Sequence, residues 1–550
     1  MRARPHPTGM HVATSSFEAA GFDVELMRGG TSLYVWNLSR KLAERGHRVS
    51  VVTPAHGRVG YLRDRYDLEE LAYRHEYDLP LVLDERVWRG FERAPNPRLH
   101  TRAYHLRRDG VDFYFLANEY LDLLPRRLYP GRADEGTDLS YFKPLVFQID
   151  AVRFIEHQFG DQVTLVHAHE PYYSYLLATV FAGRPDKPVV TTVMSNMPIN
   201  QKVYRPQVEK VLGLLGADAD LGRYVDPAHV DAAARAASRQ ILPATHLVSG
   251  AAEDYVPFFG LVADHSVLVD FMSEGQRDFY STFRGTPFAA HLPALAVGRA
   301  VAGNRRRFFV GGCAIADEWL DGDPTAVDRE QTLRGLGLRP ELCTFYHSAR
   351  YSPQQKGQRE LVRAVERFLD SGQVANFVVR CAVGAGSAVT SGDAYFQSVA
   401  DRFPGHLYLD WGMADARQQY AEAAAADFCV YPSKFELDTF MLAQGEAMAC
   451  GAVPIATAQE GTRHFGHAEA RRGRRATGLA VDRSFRDDDP QLVDQLVARF
   501  HEAVDLAGRR TREYRRLSAN ARAVARQYSW DRCADRHERA FARILDGRRP

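Results

Sequence analysis

Short apolar segments that suit buried strands alternate with amphipathic helical segments along most of this chain. The first unit runs from a strand candidate, HVATS (11–15), through the turn RGGTS and a helical segment to a second strand, RVSVVTP (48–54). The helical segment carries Val35, Leu38 and Leu42, which have the spacing of one helix face. A strand, a helix and a strand in this order predict a parallel sheet with a right-handed crossover.

The same alternation occurs in two successive series. Buried strands are predicted in the first series at VTLVHAHE, PVVTTVM and HSVLVDFM. A second series begins near residue 340 with the strand CTFYHSAR and the amphipathic helix QRELVRAVERFLDSG, and continues with the strands NFVVRCAVGAG, LYLDWG, FCVYPS and AVPIAT. Two α/β series of this size predict two doubly wound domains that face a cleft.

The order of the segments suggests approximate domain boundaries. We expect an N-terminal domain over 1–330, a C-terminal domain over 331–528, and a last segment, 529–550, whose helix (about 530–545) packs back on the N-terminal domain. Residues 61–160 are rich in aromatic side chains and look less regular, and we interpret them as an insertion on the N-terminal domain.

Composition excludes several classes of protein. Lys plus Arg (70) nearly balance Asp plus Glu (69) in 550 residues, which argues against a nucleic-acid binder. No apolar run approaches the roughly 20 residues that span a bilayer, and the first residues lack the apolar core of a secretory signal. Six cysteines lie far apart with no CxxC pair, so we expect a reduced, cytoplasmic protein.

Two segments carry groups that suit phosphate binding. Gly29 and Gly30 lie where the first strand leads into the first helix, so a phosphate could approach the backbone N–H groups and the positive end of the helix dipole. A tight turn without a ligand explains the pair equally well, and GxGxxG is absent. Arg350 and Lys356 lie at the carboxyl edge of the second sheet, where open α/β sheets bind ligands. Two solvated loop charges are the alternative.

Three acids interrupt the otherwise apolar segment YPSKFELDTFMLAQGEAMACGAVPI. Glu436 and Asp438 precede a helix predicted over 440–450, and Glu446 lies within that helix. Carboxylates that point into a cleft can accept hydrogen bonds from sugar hydroxyls. The alternative is that Asp438 or Thr439 caps the helix while Glu446 is solvated.

The strand LVHAHEPYY ends with His167, His169 and Glu170. HxH alone does not predict a metal site, because neither HExxH nor a Cys/His cluster accompanies it. The end of a strand suits substrate contacts better, although at least one of the two histidines could be structural. We therefore predict no metal.

Taken in order, these stretches resemble the retaining GT-B glycosyltransferases, most closely the glycogen and starch synthases. The similar segments are RGGTSLYVWNLSRKLAERGHRVSVVTP, VDFYFLANEYLD, YFKPLVFQIDAVRFI, LVHAHE, ARYSPQQKG, DFCVYPSKFE with EAMACGAVPI, ATGLAVD, and QYSWDRCADRHERAFARIL. The resemblance implies the GT-B fold, which has two Rossmann-like domains and a C-terminal helix that returns to the first. It also implies a nucleotide-diphosphate sugar as co-substrate and no separate cofactor.

The resemblance also implies roles for residues at matching positions. Arg350 and Lys356 would bind the donor diphosphate and stabilise it as it departs, while Gly29 and Gly30 present N–H groups to the same phosphates. Glu446 would bind the ribose, and the first acid of the signature would bind the transferred sugar. Two more residues match the phosphate loop that follows the next strand: Gly461 and Thr462.

The chain departs from the family pattern near the sugar. The family has seven residues between its two signature acids, whereas Glu436 and Glu446 have nine between them and Asp438 and Glu446 have seven. Either Glu436 or Asp438 could therefore face the sugar. Met27 stands where the family has a lysine two residues before the first glycine. We expect the donor sugar or the acceptor to differ from those of ordinary glycogen synthesis.

Three functions fit these observations. The first is a retaining hexosyltransferase that acts on a glucan or a small hydroxylated metabolite. The second is a pseudo-glycosyltransferase or natural-product glycosyltransferase of the same fold that uses a sugar-like cyclitol. The third is a nucleotide-sugar-binding protein without catalysis, although Arg350, Lys356 and Glu446 argue against such a loss. The sequence does not indicate the oligomeric state.

Overall fold

The structure is a computed structural model of the chain. It describes residues 9–23, 25–27, 29–83, 97–123, 142–196, 199–242, 254–383, 393–412, 414–469 and 473–547.

The described residues form two large sheets and a small ladder. The strands of the N-terminal half are β1 (His11–Ser15), β2 (Arg48–Pro54), β3 (Glu69–Asp78), β4 (Arg98–Arg108), β5 (Val111–Ala117), β6 (Leu165–His169), β7 (Val189–Val193), β8 (Lys202–Tyr204), β9 (Tyr255–Pro257), β10 (Leu268–Phe271) and β11 (Phe308–Phe309). Those of the C-terminal half are β12 (Thr344–Arg350), β13 (Asn376–Ala382), β14 (Leu407–Asp410), β15 (Phe428–Tyr431), β16 (Val453–Thr457) and β17 (Leu479–Val481).

Helices cover both sheets. In the N-terminal half they are α1 (Gly30–Glu44), α2 (Val59–Arg65), α3 (Lys143–Phe159), α4 (Tyr175–Val180), α5 (Arg205–Leu214), α6 (Ala228–Ser238), α7 (Phe258–His265), α8 (Glu274–Thr282) and α9 (Ala296–Asn304). Then follow α10 (Asp317–Asp321), α11 (Arg329–Gly335), α12 (Pro353–Lys356), α13 (Gln358–Asp370), α14 (Ala394–Arg402), α15 (Ala416–Ala424), α16 (Leu442–Ala449), α17 (Pro490–Gly508), α18 (Thr511–Ala525) and α19 (Trp530–Leu545).

The first sheet is mainly parallel, with an antiparallel extension at one edge. Its strand order is β11-β10-β7-β6-β1-β2-β5-β4-β3, and only the β5–β4 and β4–β3 pairs are antiparallel. Strands β1, β6 and β7 are buried along their whole length, as expected where helices cover both faces of a sheet. In β3 only Tyr73 and Tyr77 are buried, so this edge strand has one face on the core and one towards solvent.

Residues 61–160 are more regular than the sequence suggested. Their described part supplies β3, β4, β5 and the long buried helix α3, so much of this segment belongs to the sheet and its core. The aromatic residues that made the segment look irregular are the core-facing side chains of these strands, Tyr73, Tyr77 and Tyr114 among them.

The second sheet is wholly parallel, in the order β14-β13-β12-β15-β16-β17. The carboxyl ends of β12, β15 and β16 lie side by side at its centre, so the loops that follow them share one edge. We term the elements from β1 to β11, together with α19, the first lobe, and those from α10 to α18 the second lobe.

The chain crosses between the lobes twice at one place. It leaves the first sheet through residues 310–316 and returns through 526–529, and these segments run in parallel with a bridge between Ile315 and Ser529. The returning helix α19 then packs against α1 and buries Trp530, Cys533 and Phe541, which confirms the predicted C-terminal helix. No helix in the described ranges has both the length and the apolar character to cross a membrane.

Candidate active site

The glycine turn of the first lobe faces the second lobe. Helix α1 begins at Gly30 after an extended Gly29, which has no side chain that could cap the helix. Its first backbone N–H groups therefore lack intrahelical acceptors and lie at the positive end of the helix dipole. A Cβ on Gly30 would lie 3.8 Å from Cδ1 of Leu442, the first residue of α16. The first turns of α1 and α16 thus meet across the cleft.

The predicted cations lie at the carboxyl edge of the second sheet. Arg350 ends β12, is exposed, and donates from Nη2 to Oε1 of Gln355 over 3.0 Å. Lys356 ends the short helix α12, and Gly357 follows it with φ 62°. A Cβ on Gly357 would lie 2.0 Å from the carbonyl oxygen of Pro432. Only glycine allows the turn after Lys356 to pack this closely against the end of β15.

Lys356 is paired with one of the signature acids. Its Nζ donates to Oδ1 of Asp438 over 2.5 Å and lies 3.8 Å from Sδ of Met441. The side chains of Lys356 and Asp438 are 13% and 8% exposed. Because Met441 directly precedes α16, the ammonium group lies close to the place where α16 meets the glycine turn. The other carboxylate oxygen of Asp438, Oδ2, is buried without a hydrogen-bond partner in the described residues.

Glu436, the other candidate acid, interacts with Arg483 and not with Lys356. It is 1% exposed, forms an ion pair with Nε of Arg483, and accepts a hydrogen bond of 2.9 Å from the backbone N–H of Glu460. Burial raises the pKa of the Glu436 carboxyl to about 7, although the charge of Arg483 acts in the opposite direction. Of the two candidate acids, Asp438 therefore lies against Lys356, and Glu436 faces Arg483.

The loop between β15 and α16 has an unusual backbone. Phe435, Glu436 and Met441 all have left-handed conformations, with φ of 65°, 56° and 66°. The helix begins at Leu442, later than we predicted, and in the part of the chain described here no side chain caps it. This excludes the capping alternative for Asp438, whose carboxylate lies on Lys356 instead.

Glu446 lies within α16 and is half-buried. Burial raises the pKa of its carboxyl to about 7. Across the described ranges no hydrogen bond to its carboxylate is found, so this group is free to accept one from a ligand.

Gly461 and Thr462 lie in a 3₁₀ turn, Glu460–Phe465, that follows β16. The carbonyl of Gly461 accepts a hydrogen bond of 3.0 Å from the Ser273 hydroxyl of the first lobe. Thr462 is buried, and its hydroxyl lies 3.4 Å from the carbonyl oxygen of Gln459. This turn therefore lies between the lobes, although its phosphate contact stays a prediction.

Two family models match the chain, one on each lobe. A model described as "Starch synthase catalytic domain" matches residues 11–214, and one described as "Glycosyl transferases group 1" matches 343–519. A curated relative, the glycogen synthase of Exiguobacterium sibiricum, is 27% identical over 162 residues, which are 29% of this chain and 28% of the relative. The match thus spans little more than a quarter of that enzyme.

Solved structures match almost the whole chain. The catalytic domain of starch synthase IV from Arabidopsis thaliana, bound to ADP and acarbose, has a TM-score of 0.66 at 15% identity, covering 98% of this chain and all (100%) of that one. This chain has the GT-B fold and resembles the glycogen and starch synthases.

Other GT-B structures match less closely. Sucrose-phosphate synthase from Thermosynechococcus elongatus has a TM-score of 0.56 at 13% identity and covers 98% of this chain and 100% of that one. A UDP-forming trehalose-phosphate synthase from Burkholderia xenovorans, in complex with glucose-6-phosphate, has a TM-score of 0.56 at 11% identity, with 97% and 100% covered. At these identities the matches establish the fold of this chain and not its activity or substrates.

The two strand-end histidines of this GT-B chain differ in their surroundings. The ring of His167 is buried, with Nε2 2.7 Å from the Thr192 hydroxyl, and it packs near α19. This position favours the structural alternative for His167. His169 is also buried, and burial lowers its pKa to about 3. Neither of its ring nitrogens has a hydrogen-bond partner among the described residues, so His169 can still accept one from a substrate.

Glu170 is held rigidly at the end of β6. Its carboxylate accepts hydrogen bonds from the Ser195 hydroxyl over 2.9 Å and from the backbone N–H of Met194 over 3.1 Å. Burial raises the pKa of this carboxyl to about 7. These contacts fix its orientation, and a substrate role for Glu170 stays a prediction.

A buried polar chain joins His167 to α19. The ligand-type atoms of His167, Asp270 and His537 lie within 4.8 Å of one another, a spacing that suits a metal ion. However, the Thr192 hydroxyl donates its one hydrogen to Asp270, so Nε2 of His167 must donate to Thr192.

Both ring nitrogens of His537 also face hydrogen-bond partners. Its Nδ1 faces the carbonyl oxygen of Cys533 at 2.9 Å, and its Nε2 faces Oδ2 of Asp270 at 3.1 Å. Since both partners are acceptors, both ring nitrogens carry hydrogens. Neither Nε2 in this cluster has a lone pair to offer a metal, and the geometry is that of a buried ion pair.

Sequence reasoning missed the residues that join the lobes at the cleft, among them Arg483, Ser273 and Asn196. The Ser273–Gln276 spacing is a capping-box pattern that could have located the start of α8, since the Ser273 hydroxyl accepts from the N–H of Gln276. No sequence signal indicates that the same hydroxyl also contacts the second lobe.

Proposed function

We propose that this glycosyltransferase moves a hexosyl unit from a nucleotide-diphosphate sugar to a hydroxylated acceptor, a glucan or a small metabolite, with retention of configuration. The observation that carries the proposal is the Lys356–Asp438 pair, which lies beside α16 where that helix meets the first turn of α1. A cation, a carboxylate and a helix N-terminus from two lobes converge there, and a sugar diphosphate has groups that match all three.

Donor binding would exchange the partners of this pair. With the lobes in contact, as in this structure, the charge of Lys356 is balanced by Asp438. Donor phosphate oxygens would take the ammonium group, and sugar hydroxyls would donate to the freed carboxylate. Each partner thus keeps a charge-assisted hydrogen bond, which makes the exchange inexpensive.

The leaving diphosphate would be stabilised from both lobes. Arg350 is exposed, and within the described ranges its guanidinium group has one neutral hydrogen-bond partner, so it can form a bidentate contact with phosphate. The first N–H groups of α1, after Gly29 and Gly30, would add dipoles that need no reorganisation as charge develops. Gly461 and Thr462 lie in a turn beside the same cleft and would complete the phosphate contacts.

Two acids would recognise the rest of the donor. We assign the sugar to Asp438, because it lies against Lys356 and is separated from Glu446 by the seven residues of the family pattern. We assign the ribose to Glu446, whose carboxylate is not hydrogen-bonded within the described chain. A ribose hydroxyl would donate to its ionised form.

In the proposed reaction, the bond between C1 of the sugar and the diphosphate oxygen breaks, and a bond from C1 to the acceptor oxygen forms on the same face. The acceptor proton passes to the departing phosphate oxygen, so no second carboxylate and no added cofactor are needed. His169 and Glu170, at the end of β6, would contact the acceptor. Closing of the lobes would exclude water, which would otherwise hydrolyse the donor.

A first experiment would test a panel of nucleotide sugars for thermal stabilisation of the protein, because a ligand specific to the folded state raises its stability. The donor found in this way would be tested with glucan, small-sugar and cyclitol acceptors, and the product anomer determined by NMR. Retention supports the proposal, and inversion overturns that part of it. A donor that binds but is not consumed with any acceptor would indicate a binding protein.

Lys356→Ala tests the assigned role directly. We expect kcat to fall on the order of 10²–10³-fold, as for loss of one preorganised charge-stabilising group. Lys210→Ala is the matched control, since Lys210 is exposed on α5. Near-normal turnover by Lys356→Ala, at unchanged melting temperature, would contradict the proposed role.

A further inference from the structure

The lobes touch along a second line of contact beside the proposed donor site. Here α8 of the first lobe packs against the 3₁₀ turn Glu460–Phe465 of the second. The approach is so close that a Cβ on Gly275 would lie 1.7 Å from the backbone carbonyl oxygen of Glu460. Real Cβ atoms do not come so near to a carbonyl oxygen, so the contact requires glycine at this position of α8.

Hydrogen bonds from buried side chains extend this contact to the loop that carries the signature acids. The Ser273 hydroxyl lies 2.9 Å from the carbonyl oxygen of Thr439, and the Asn196 amide donates to the carbonyl of Glu436 over 2.5 Å. In the other direction the Thr439 hydroxyl donates to the carbonyl of Met194 over 3.0 Å. The carbonyl groups of Glu436 and Thr439 and the Thr439 hydroxyl thus all have hydrogen-bond partners in the first lobe.

Arg483 adds a side-chain contact to the same line. Its guanidinium group pairs with the Glu436 carboxylate and lies over two aromatic rings, with its Cζ 5.6 Å from the ring centre of Phe279 and 5.2 Å from that of Phe485. Phe279 belongs to α8 and Phe485 to the second lobe. Through Arg483, Glu436 is therefore connected to the first lobe as well as to its own.

The conformation of the acid loop depends on these contacts. Phe435, Glu436 and Met441 have left-handed backbones, which are unfavourable for side chains of this size and persist only where the surroundings hold them. Part of what holds the loop belongs to the first lobe. When the lobes part, Glu436 and Thr439 lose those partners, and the loop is free to relax.

We propose that Asn196, Ser273, Gly275, Glu436 and Arg483 form an interlobe clasp that sets Asp438 against Lys356 only when the lobes are closed. In this arrangement Glu436 is a positioning residue, which acts through Arg483 and the loop and does not touch the sugar. The inference deepens the proposed function and rests on it for the role of Asp438. One of the residues by which the chain exceeds the family spacing, Glu436, belongs to the clasp.

Gly275→Ala tests the clasp with a single methyl group. Alanine favours the helical state of α8, so the first lobe should fold normally, but the methyl group prevents the close approach to Glu460. We expect small-angle X-ray scattering with saturating nucleoside diphosphate to show a larger radius of gyration than for the wild type. We expect kcat to fall on the order of 10²-fold, the cost of a misplacement of about 1 Å, at unchanged affinity for the nucleotide.

Gly213→Ala is the matched control. Gly213 lies in helix α5, and a Cβ there would meet nothing within 4 Å, so both scattering and turnover should equal those of the wild type. A Gly275→Ala protein that closes and turns over like this control overturns the proposal. If Gly275→Ala does not fold, Ser273→Ala removes the clasp hydroxyl, which is also the N-cap of α8, and is expected to give the same change in scattering. Normal closure in a folded Ser273→Ala protein would then overturn it.

Glu436→Gln separates positioning from sugar contact. The variant keeps an acceptor for the N–H of Glu460 but loses the charge that pairs with Arg483. We expect kcat to fall by a similar factor for every donor sugar that the wild type accepts, with their ranking unchanged. A changed ranking would show that Glu436 contacts the sugar, and would overturn the positioning role. Scattering needs no turnover, so the clasp is tested even if no donor is ever found to react.

Discussion

The C-terminal part of the chain meets the N-terminal part at two places that are built differently. At α19 the contact consists of buried charges: His537 and Asp270 are both fully buried, and Glu538 contacts both Arg45 and His47 over 3.1 and 3.0 Å. At α8 the contact with the second lobe consists mainly of hydroxyl, amide and carbonyl groups around Ser273 and Gly275. We term the first place the α19 seat and keep the name clasp for the second.

This difference in chemistry predicts a difference in behaviour. Separating a buried ion pair exposes two charges that lack each other, whereas neutral hydrogen bonds exchange with water at a net cost of about 0.5–1.5 kcal/mol each. The α19 seat should therefore stay formed throughout the working cycle, and the clasp can open and close. We therefore expect the α19 seat to be a permanent contact and the clasp to be a reversible one.

The largest expected effect comes from removing one partner of the buried pair in the seat. Asp270→Ala removes the acceptor shared by the His537 ring and the Thr192 hydroxyl and leaves these buried groups unpaired, so we expect the free energy of unfolding to fall by about 3–5 kcal/mol, measured by urea denaturation. Asp535→Ala is the control, because Asp535 is 45% exposed and pairs with Arg45 at the rim of the same helix. It should cost less than about 1 kcal/mol. Equal losses of unfolding free energy for the two variants would contradict the view that the buried ion pair holds the α19 seat together.

The seat should depend on pH, and the hydroxyl and amide contacts of the clasp should not. Burial alone would lower the pKa of His537, but the charge and hydrogen bond of Asp270 outweigh this and raise it well above 6.5. Besides Asp270, the titratable groups that face this ring are Tyr34, Cys533 and His167.

A histidine with a raised pKa in the folded state contributes stability that is complete below its unfolded pKa and is lost as pH rises through the folded value. The advantage of the wild type over His537→Gln in melting temperature should thus be greatest near about pH 6 and shrink towards about pH 9. The difference between wild type and Ser273→Ala should stay constant over this range, because neither hydroxyl nor amide groups titrate there. A constant advantage over His537→Gln would mean that the ring is neutral.

The smallest effect is expected at the exposed edge of the clasp. Arg463 of the second lobe pairs with Asp278 of α8 over 3.3 Å, and both side chains are about half exposed, 51% and 49%. Arg463→Ala should shift the balance between open and closed lobes by less than about 1 kcal/mol, and the shift should vanish at high salt. Arg367→Ala is the control, since Arg367 pairs with Asp494 within the second lobe. A large, salt-independent shift for Arg463→Ala would mean that this ion pair supplies most of the stability of the clasp.

Much of the fold could be predicted from the sequence, because its elements have strong local patterns. The apolar spacing at Val35, Leu38 and Leu42 located α1, and the segment from Trp530 to Leu545 was predicted with the bounds that the structure has. The antiparallel strands β3 and β4 were missed. Their core-facing aromatics alternate with charged residues, and the Asp109–Gly110 turn that joins β4 to β5, a hairpin signal, was overlooked.

The candidate site was predictable in its parts and not in its arrangement. The sequence placed Arg350 and Lys356 at a sheet edge and three acids beside them. It could not decide between Glu436 and Asp438, because spacing along the chain says nothing about the left-handed turns that redirect the loop. Those turns are held by residues of the other lobe, which are distant in sequence. The buried network around His167 and His537 was invisible for the same reason.

The position of α19 has a consequence for how the protein is made. The helix supplies Trp530, Cys533 and Phe541 to the interior of the first lobe, yet the ribosome synthesises it after the entire second lobe. The apolar surface of α1 that α19 covers therefore stays exposed while the second lobe is synthesised and folds. The first lobe begins the chain, yet its core is complete only after the second lobe and α19 have been synthesised.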